Sequence, residues 1–246
     1  MMEIGYRIIR PEDIGSQPLS LAQISLWRTA AWGVSEGVRA VEAAISIAEE
    51  CRRRGIRTVF HPLEYPLADE GGEETMNVLR RLAPSADLGI IIHDEGGPGG
   101  SRLTEAQAAA YEQRVREISK LCPLSIENAF NSSDSLWFWE RFVARADSDI
   151  SITLDIGHLE SAGFDSPIFV RGLPEHLARR VNFVHMHHKG EERWGVMDHW
   201  PLEPGCRELQ ALSVLRSRKK DLRVILELDA QEEGLRRSIE LLRKLK

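Results

Sequence analysis

The stretch "VHMHHKG", residues 184–190, places three of the eight histidines of the chain within four positions. Imidazole is a common metal ligand, and its protonation changes near neutral pH. A run of histidines can equally form a solvated turn. Because side chains two residues apart share one face of a strand, His185 and His187 would lie together and His188 would point the other way. The phase predicts His185 as a metal ligand, His187 as a contact to substrate or to a second metal, and His188 as a solvated turn residue.

The same alternation places an ionisable side chain at the end of five further apolar runs. In "SITLD", Ser151, Thr153 and Asp155 share a face, and Asp155 ends the row. The side chains that end the six rows are His61, His93, Glu127, Asp155, His185 and Glu227. A single polar strand end is usually just solvated, but six at equivalent positions predict a common site.

Three histidines and three carboxylates packed together would repel and desolvate one another at substantial cost. A divalent cation removes that cost. The ligand set offers nitrogen and oxygen but no sulfur, which suits Zn, Mn, Fe or Co. The sequence therefore predicts a site for one to three such ions.

Eight predicted strands, alternating with segments of helical period, would position these groups. The strands cover residues 2–9, 21–28, 56–61, 88–93, 123–128, 151–158, 181–187 and 222–228. Eight βα units predict an α/β protein with a (β/α)8 TIM barrel, formed as a single domain by residues 1–246. The first βα unit is degenerate, since only "PEDIGSQPLS" separates strands one and two. Active sites of this fold lie at the carboxyl ends of the strands, where the six rows end.

Composition narrows the partners and the compartment. The formal net charge is −6, which disfavours nucleic acid without excluding it. The three cysteines are widely separated, which is typical of reduced thiols inside a cell. No apolar stretch is long enough to cross a membrane, and charge appears early at the N-terminus, so we expect a cytoplasmic protein. The oligomeric state stays open.

Five segments in this order and spacing resemble the xylose isomerase-like TIM barrels. They are "SIENAF" (125–130), "DIGHLESAG" (155–163), "VHMHHKG", "HWPLEPG" (199–205) and "ILEL" (225–228). That superfamily holds sugar and sugar-phosphate isomerases and epimerases, together with endonuclease IV-type apurinic endonucleases. The resemblance covers residues 56–230 and implies a metal-dependent enzyme.

The two branches imply different ligand sets. The isomerase and epimerase branch implies one metal held by four groups, with His158 on the substrate; the four are Glu127, Asp155, His185 and Glu227. The endonuclease branch implies that His61 and His93 complete a multi-metal cluster, with a third metal on His158 and His199. The chain departs from that branch at Met197, where the pattern has Asp, and at 185–188, where it has His-x-Asn-Asp.

The favoured hypothesis is an isomerase or epimerase acting on a small sugar or sugar phosphate. Glu127 and Glu227 would transfer a proton next to a carbonyl, and the metal would stabilise the enediolate. The predicted substrate contacts are His158, His187, Lys189 and Trp200. The first alternative is a multi-metal phosphodiester hydrolase in which Glu127 bridges metals, and the second is a non-catalytic metal- or sugar-binding barrel.

Overall fold

Eight parallel strands close into a barrel in which each strand is hydrogen-bonded to the next and the last pairs with the first. A computed structural model describes residues 2–8, 10–14, 19–28, 37–97, 101–129, 134–144, 150–189, 199–228 and 232–245. The strands are β1 (Glu3–Ile8), β2 (Leu21–Trp27), β3 (Arg57–Leu63), β4 (Ile90–His93), β5 (Leu124–Glu127), β6 (Ser151–Asp155), β7 (Val181–Met186) and β8 (Arg223–Leu226). The predicted (β/α)8 barrel is confirmed.

The connections after β2 are helical. The helices are α1 (Gly37–Arg53), α2 (Gly72–Leu82), α3 (Glu105–Ile118), α4 (Ser135–Phe142), α5 (Ile156–Ser161), α6 (Ser166–Gly172), α7 (Glu175–Ala178), α8 (Arg207–Arg218) and α9 (Glu232–Lys244). Between β1 and β2 the described residues contain only a 3-10 turn, Pro11–Asp13, which confirms the degenerate first unit. Among the described helices, none has the length and apolarity that crossing a lipid bilayer requires.

The predicted strand at 151–158 ends early, at Asp155. The Asp155 side chain accepts the backbone N–H of His158 at 2.7 Å and so caps α5, which starts at the next residue. A capping carboxylate satisfies an N–H that would otherwise lack a partner at the helix start. Helix α6, which the sequence pattern missed, begins in the same way at Asp165. Local capping therefore overrides the apolar alternation after β6.

The lower half of the barrel interior is apolar. Its buried side chains are Leu21, Val59, Ile91, Phe183 and Ile225. Each of the last four lies two residues before a predicted site residue of the same predicted strand and shares its face. The inward phase of β3, β4, β7 and β8 is therefore confirmed. At β5 and β6 the interior is polar, and the two hydroxyls of Ser125 and Thr153 lie 2.6 Å apart. This mostly apolar layer lies below the strand ends.

Candidate metal centre

All six predicted strand-end groups lie together above the mostly apolar layer. The strand pairing sets His93 beside Glu127 and Asp155 beside His185. Glu127, Asp155 and His185 are fully buried, and the other three are buried or half-buried. Inward phase and a common level along the barrel axis therefore produce the cluster that the sequence pattern predicts.

Four of these groups surround one point. Glu127, Asp155, His185 and Glu227 each offer an atom, and all four atoms lie within 4.8 Å of one another. His185 Nδ1 is 3.0 Å from Glu127 Oε1 and 3.7 Å from both Asp155 Oδ2 and Glu227 Oε2.

Several of these buried atoms lack a hydrogen bond. Among the described residues, both carboxylate oxygens of Glu127, Oδ2 of Asp155 and both ring nitrogens of His185 have no partner with hydrogen-bonding geometry. Unsatisfied buried polar atoms are rare in proteins and costly. Convergent oxygen and nitrogen donors of this kind fit a divalent cation.

The pKa values of Glu127 and His185 are both shifted strongly upward. Burial raises the pKa of the Glu127 carboxyl well above its usual range, although His185 opposes that shift. Burial alone would lower the pKa of His185, but the charges of Glu127 and Glu227 outweigh it and raise that pKa well above the usual range. A cation bound among these groups would compete with their protons.

The other two carboxylates are held in their ionised form. Burial raises the pKa of Asp155, but His158 and His187 outweigh burial and hold it well below its usual range. Burial likewise opposes ionisation of Glu227, and His185 is the main group that lowers its pKa. Two ionised carboxylates beside a histidine provide the negative charge that attracts a divalent ion.

His61 and His93 extend the centre on the β3 and β4 side. His61 Nδ1 lies 3.2 Å from the carbonyl oxygen of Ile91, and a carbonyl can only accept, so Nδ1 carries the proton. His61 Nε2 then presents a lone pair to Glu127 Oε2 at 3.2 Å. Burial lowers the pKa of His61 well below its usual range and that of His93 to about 4, which keeps both rings neutral. Facing lone pairs need a proton or a cation between them.

A second cluster contains three histidines close to Asp155. The ring centroids of His158, His187 and His199 lie 4.4 to 5.9 Å apart. His158 Nδ1 donates to the carbonyl of Asn128 at 3.2 Å, and His199 Nδ1 donates to that of Glu227 at 2.8 Å. This is the arrangement by which proteins fix the tautomer of metal-binding histidines, because it leaves Nε2 as the lone-pair nitrogen.

Comparison with known proteins was informative only at the level of structure. No protein-family model matches the chain, and no curated protein matches it in sequence. A D-tagatose 3-epimerase-like protein superposes with a TM-score of 0.73 at 17% identity, covering 99% of this chain and 97% of that one. A xylose isomerase-like TIM barrel protein from Mycobacterium smegmatis in complex with magnesium gives a TM-score of 0.59 at 14% identity, covering 91% and 85%. The chain has the xylose isomerase-like TIM barrel fold.

A third structure with this fold is the IolI protein with a bound zinc atom. Its TM-score is 0.65 at 11% identity, and the match covers 99% of this chain and 96% of that one. Two of the three similar structures thus contain a divalent metal, magnesium in one and zinc in the other.

In this barrel, the His187 ring contacts the Asp155 carboxylate. Its Nε2 lies 3.2 Å from Asp155 Oδ1, and its Nδ1 accepts the backbone N–H of His199 at 3.3 Å. The ring packs directly on Gly157, where an added Cβ would lie 2.2 to 2.4 Å from three ring atoms. Only glycine leaves this space, which gives the "DIGH" segment a packing role.

His188 does not behave as the solvated turn residue that its phase predicts. Its side chain is 25% exposed, and its Nδ1 lies 2.9 Å from Oε1 of the buried Glu208. Its backbone forms an antiparallel bridge with Trp200, through hydrogen bonds of 2.8 and 3.1 Å. The prediction was wrong because Trp200 pairs with the backbone of His188 and the buried Glu208 carboxylate accepts a hydrogen bond from its ring.

Two further predicted substrate contacts lie around this turn. Trp200 is 37% exposed and directly follows His199. Lys189 is half-buried, and its backbone N–H donates to Glu208 Oε1 at 3.2 Å. Met197 and Asp198, at which the sequence departs from the endonuclease pattern, lie outside the described residues.

The sequence analysis missed two residues that position the centre. Gln23 of β2 is buried and donates through Nε2 to Glu227 Oε1 and, at 3.2 Å, to Ser25 Oγ. Asn128 holds the backbone of Asp155 at both ends, with two hydrogen bonds of 2.8 Å. The signal for Gln23 was present, since in "LAQIS" it shares the inward phase of Leu21.

Proposed function

We propose that the protein is a divalent-metal-dependent isomerase or epimerase of a sugar or sugar phosphate. The observation that carries this proposal is the convergence of four buried groups, Glu127, Asp155, His185 and Glu227. The first three have ligand atoms that lack hydrogen-bond partners among the described residues. The similarity in fold to a D-tagatose 3-epimerase-like protein supports a sugar as the substrate class.

Two carboxylates perform the proton transfer. Glu127 at the end of β5 and Glu227 just after β8 approach His185 from different strands. One removes a proton from the carbon next to the substrate carbonyl, and the other returns it. A cation held by Glu127, Asp155, His185 and Glu227 would supply the Lewis acidity that stabilises negative charge on the substrate oxygens.

The remaining groups hold the substrate and the two carboxylates. Gln23 fixes one oxygen of Glu227 and so directs the other toward the centre. His158 and His187 lie beside Asp155. We propose that substrate hydroxyls contact these two rings. Trp200 at the rim covers an apolar face of the sugar, and Lys189 binds an anionic or hydroxyl group there.

Proton exchange tests this function directly. The metal-loaded protein is incubated in D2O with a panel of aldoses, ketoses and their phosphates, and deuterium next to the carbonyl is measured by NMR. We expect incorporation with at least one substrate, and a loss of about 10² to 10⁴-fold in Glu127→Gln and in Glu227→Gln.

The controls separate chemistry from folding and metal loss. Glu49→Gln, on the exposed face of α1, should exchange at the parental rate. Elemental analysis of each variant reports retained metal. A metal-loaded parent that exchanges no sugar, or a Glu→Gln pair that exchanges as fast as the parent, would exclude the proposal.

A specific observation also favours a second candidate, a multi-metal phosphodiester hydrolase. His61 presents a lone pair to Glu127, and the three histidines beside Asp155 offer further ligands. The net charge of −6 opposes binding of a nucleic-acid duplex. One metal at the barrel mouth supports the isomerase, whereas two or three metals at the mouth with nicking of abasic DNA support the hydrolase. Metal binding without turnover in either assay would support the second alternative, a non-catalytic metal- or sugar-binding barrel.

A further inference from the structure

Three side chains that can bind a metal cluster between the end of β7 and the start of α8. They are His188, which follows β7, Cys206, which precedes α8, and Glu208, in the first turn of α8. Each offers an atom, and the three atoms lie within 4.8 Å of one another. The barrel-mouth centre uses none of these residues.

Burial makes this cluster different from a surface ion pair. The Glu208 side chain is 2% exposed, and its Oε1 accepts from His188 Nδ1 at 2.9 Å. Its Oε2 has no hydrogen-bond partner among the described residues. The cluster thus places this buried carboxylate oxygen beside a thiol and an imidazole, both of which are common metal ligands.

We propose that His188, Cys206 and Glu208 bind a zinc-class divalent cation, as a second site distinct from the barrel-mouth centre. Imidazole nitrogen, thiolate sulfur and carboxylate oxygen are the three ligand types of zinc. Binding releases the thiol proton of Cys206 to solvent, and the proton of His188 moves from Nδ1 to Nε2, so that a lone pair on each ligand atom coordinates the metal. The cation then also satisfies the free oxygen of Glu208.

The position of the site gives it a structural role. His188 and Cys206 stand at the two ends of the connection between β7 and α8, and this connection carries His199 and Trp200. Glu208 already holds the backbone of Lys189 at 3.2 Å. A metal at this point joins both ends of the connection and fixes the rim residues over the mouth.

Cobalt spectroscopy tests the site, because only a sulfur ligand gives an intense thiolate-to-cobalt charge-transfer band in the near ultraviolet. The described residues of the barrel-mouth centre contain no sulfur ligand. Chelator-treated protein is titrated with Co²⁺, and we expect the band in the parent. Cys206→Ser should abolish it and reduce the cobalt content by one ion per chain.

Cys122→Ser is the matched control, since Cys122 is a free thiol elsewhere in the fold and the band should persist. His188→Asn tests the site without changing the thiol and should weaken cobalt binding by about 10-fold or more. No band in the parent at saturating cobalt, an unchanged band in Cys206→Ser, or unchanged affinity in His188→Asn would each overturn the proposal. These results do not depend on sugar turnover, so this site and the proposed function fail separately.

Discussion

Gln23 holds Glu227 from two strands away along the barrel wall. Its amide nitrogen donates to both Glu227 and Ser25, which fixes the rotamer of a buried carboxylate. A residue that orients a metal ligand contributes to affinity without touching the metal. Gln23 therefore acts as a positioning residue for the metal centre.

Replacement of Gln23 by Leu should weaken divalent-metal binding by about 10 to 100-fold, because Glu227 loses its donor. Isothermal titration of the chelator-treated protein with Mn²⁺ or Zn²⁺ measures this change. Gln113→Leu on the exposed face of α3 is the matched control and should bind as the parent does. Equal affinities in the two variants would remove Gln23 from the centre.

At Gly157 the neighbouring His187 ring leaves no room for a side chain. In Gly157→Ala the new Cβ would displace the His187 ring, with an expected loss of about 1 to 3 kcal/mol in the free energy of unfolding. Urea denaturation measures this loss. The matched control is Gly172→Ala at the end of α6, where nothing lies within 4 Å of the added carbon. A Gly157 variant as stable as the control would show that His187 has room to move.

At the scale of elements, Glu95 joins two loops at the barrel mouth. Its carboxylate accepts the backbone N–H groups of Leu67 at 2.6 Å and Ala68 at 2.9 Å, from the loop after β3. Burial nevertheless raises the pKa of Glu95 to about 7, since desolvation outweighs the two donors. The contact between these loops therefore depends on the protonation of a single side chain.

The raised pKa sets the sign of a pH effect on stability. An acid whose folded-state pKa exceeds its unfolded value imposes no penalty below the unfolded pKa, and the penalty grows until pH passes the folded pKa. Between about pH 4.5 and pH 7, Glu95 should therefore lower the free energy of unfolding, by at most about 3 kcal/mol. Urea denaturation across this range should show that Glu95→Gln loses this component while Glu49→Gln keeps it. Parallel pH profiles for all three proteins would contradict the prediction.

Alternation of polar and apolar residues was sufficient to predict the strands and the inward groups. His61, Glu127 and His185 follow from it, because the period of two is a property of any strand. It failed where local contacts decide the structure. Asp155 starts a helix through a side-chain cap, and the backbone of His188 is paired with that of Trp200, twelve residues later in the sequence. Such contacts depend on tertiary geometry, which periodicity does not contain.

For the whole molecule, metal binding should raise the melting temperature, Tm. A ligand that binds only the folded state at about 100 times its Kd adds about 2.7 kcal/mol. For a chain of this size, that corresponds to a rise of about 5 to 10 °C in Tm. Calorimetry of chelator-treated protein with and without Mn²⁺, Zn²⁺ or Co²⁺ measures the shift. Asp155→Asn should lose most of it, and a parent Tm that no metal changes would argue against the centre.

Closure of the barrel has a consequence for the order of events during folding. The groups around the central point come from β5, β6, β7 and the end of β8, so the point exists only after the last strands have paired. Such long-range pairing comes late and slowly. A cation bound there would slow unfolding and leave the rate of folding unchanged, because it stabilises contacts that the transition state lacks. Loss of the metal would then increase the rate of unfolding and shorten the lifetime of the folded chain.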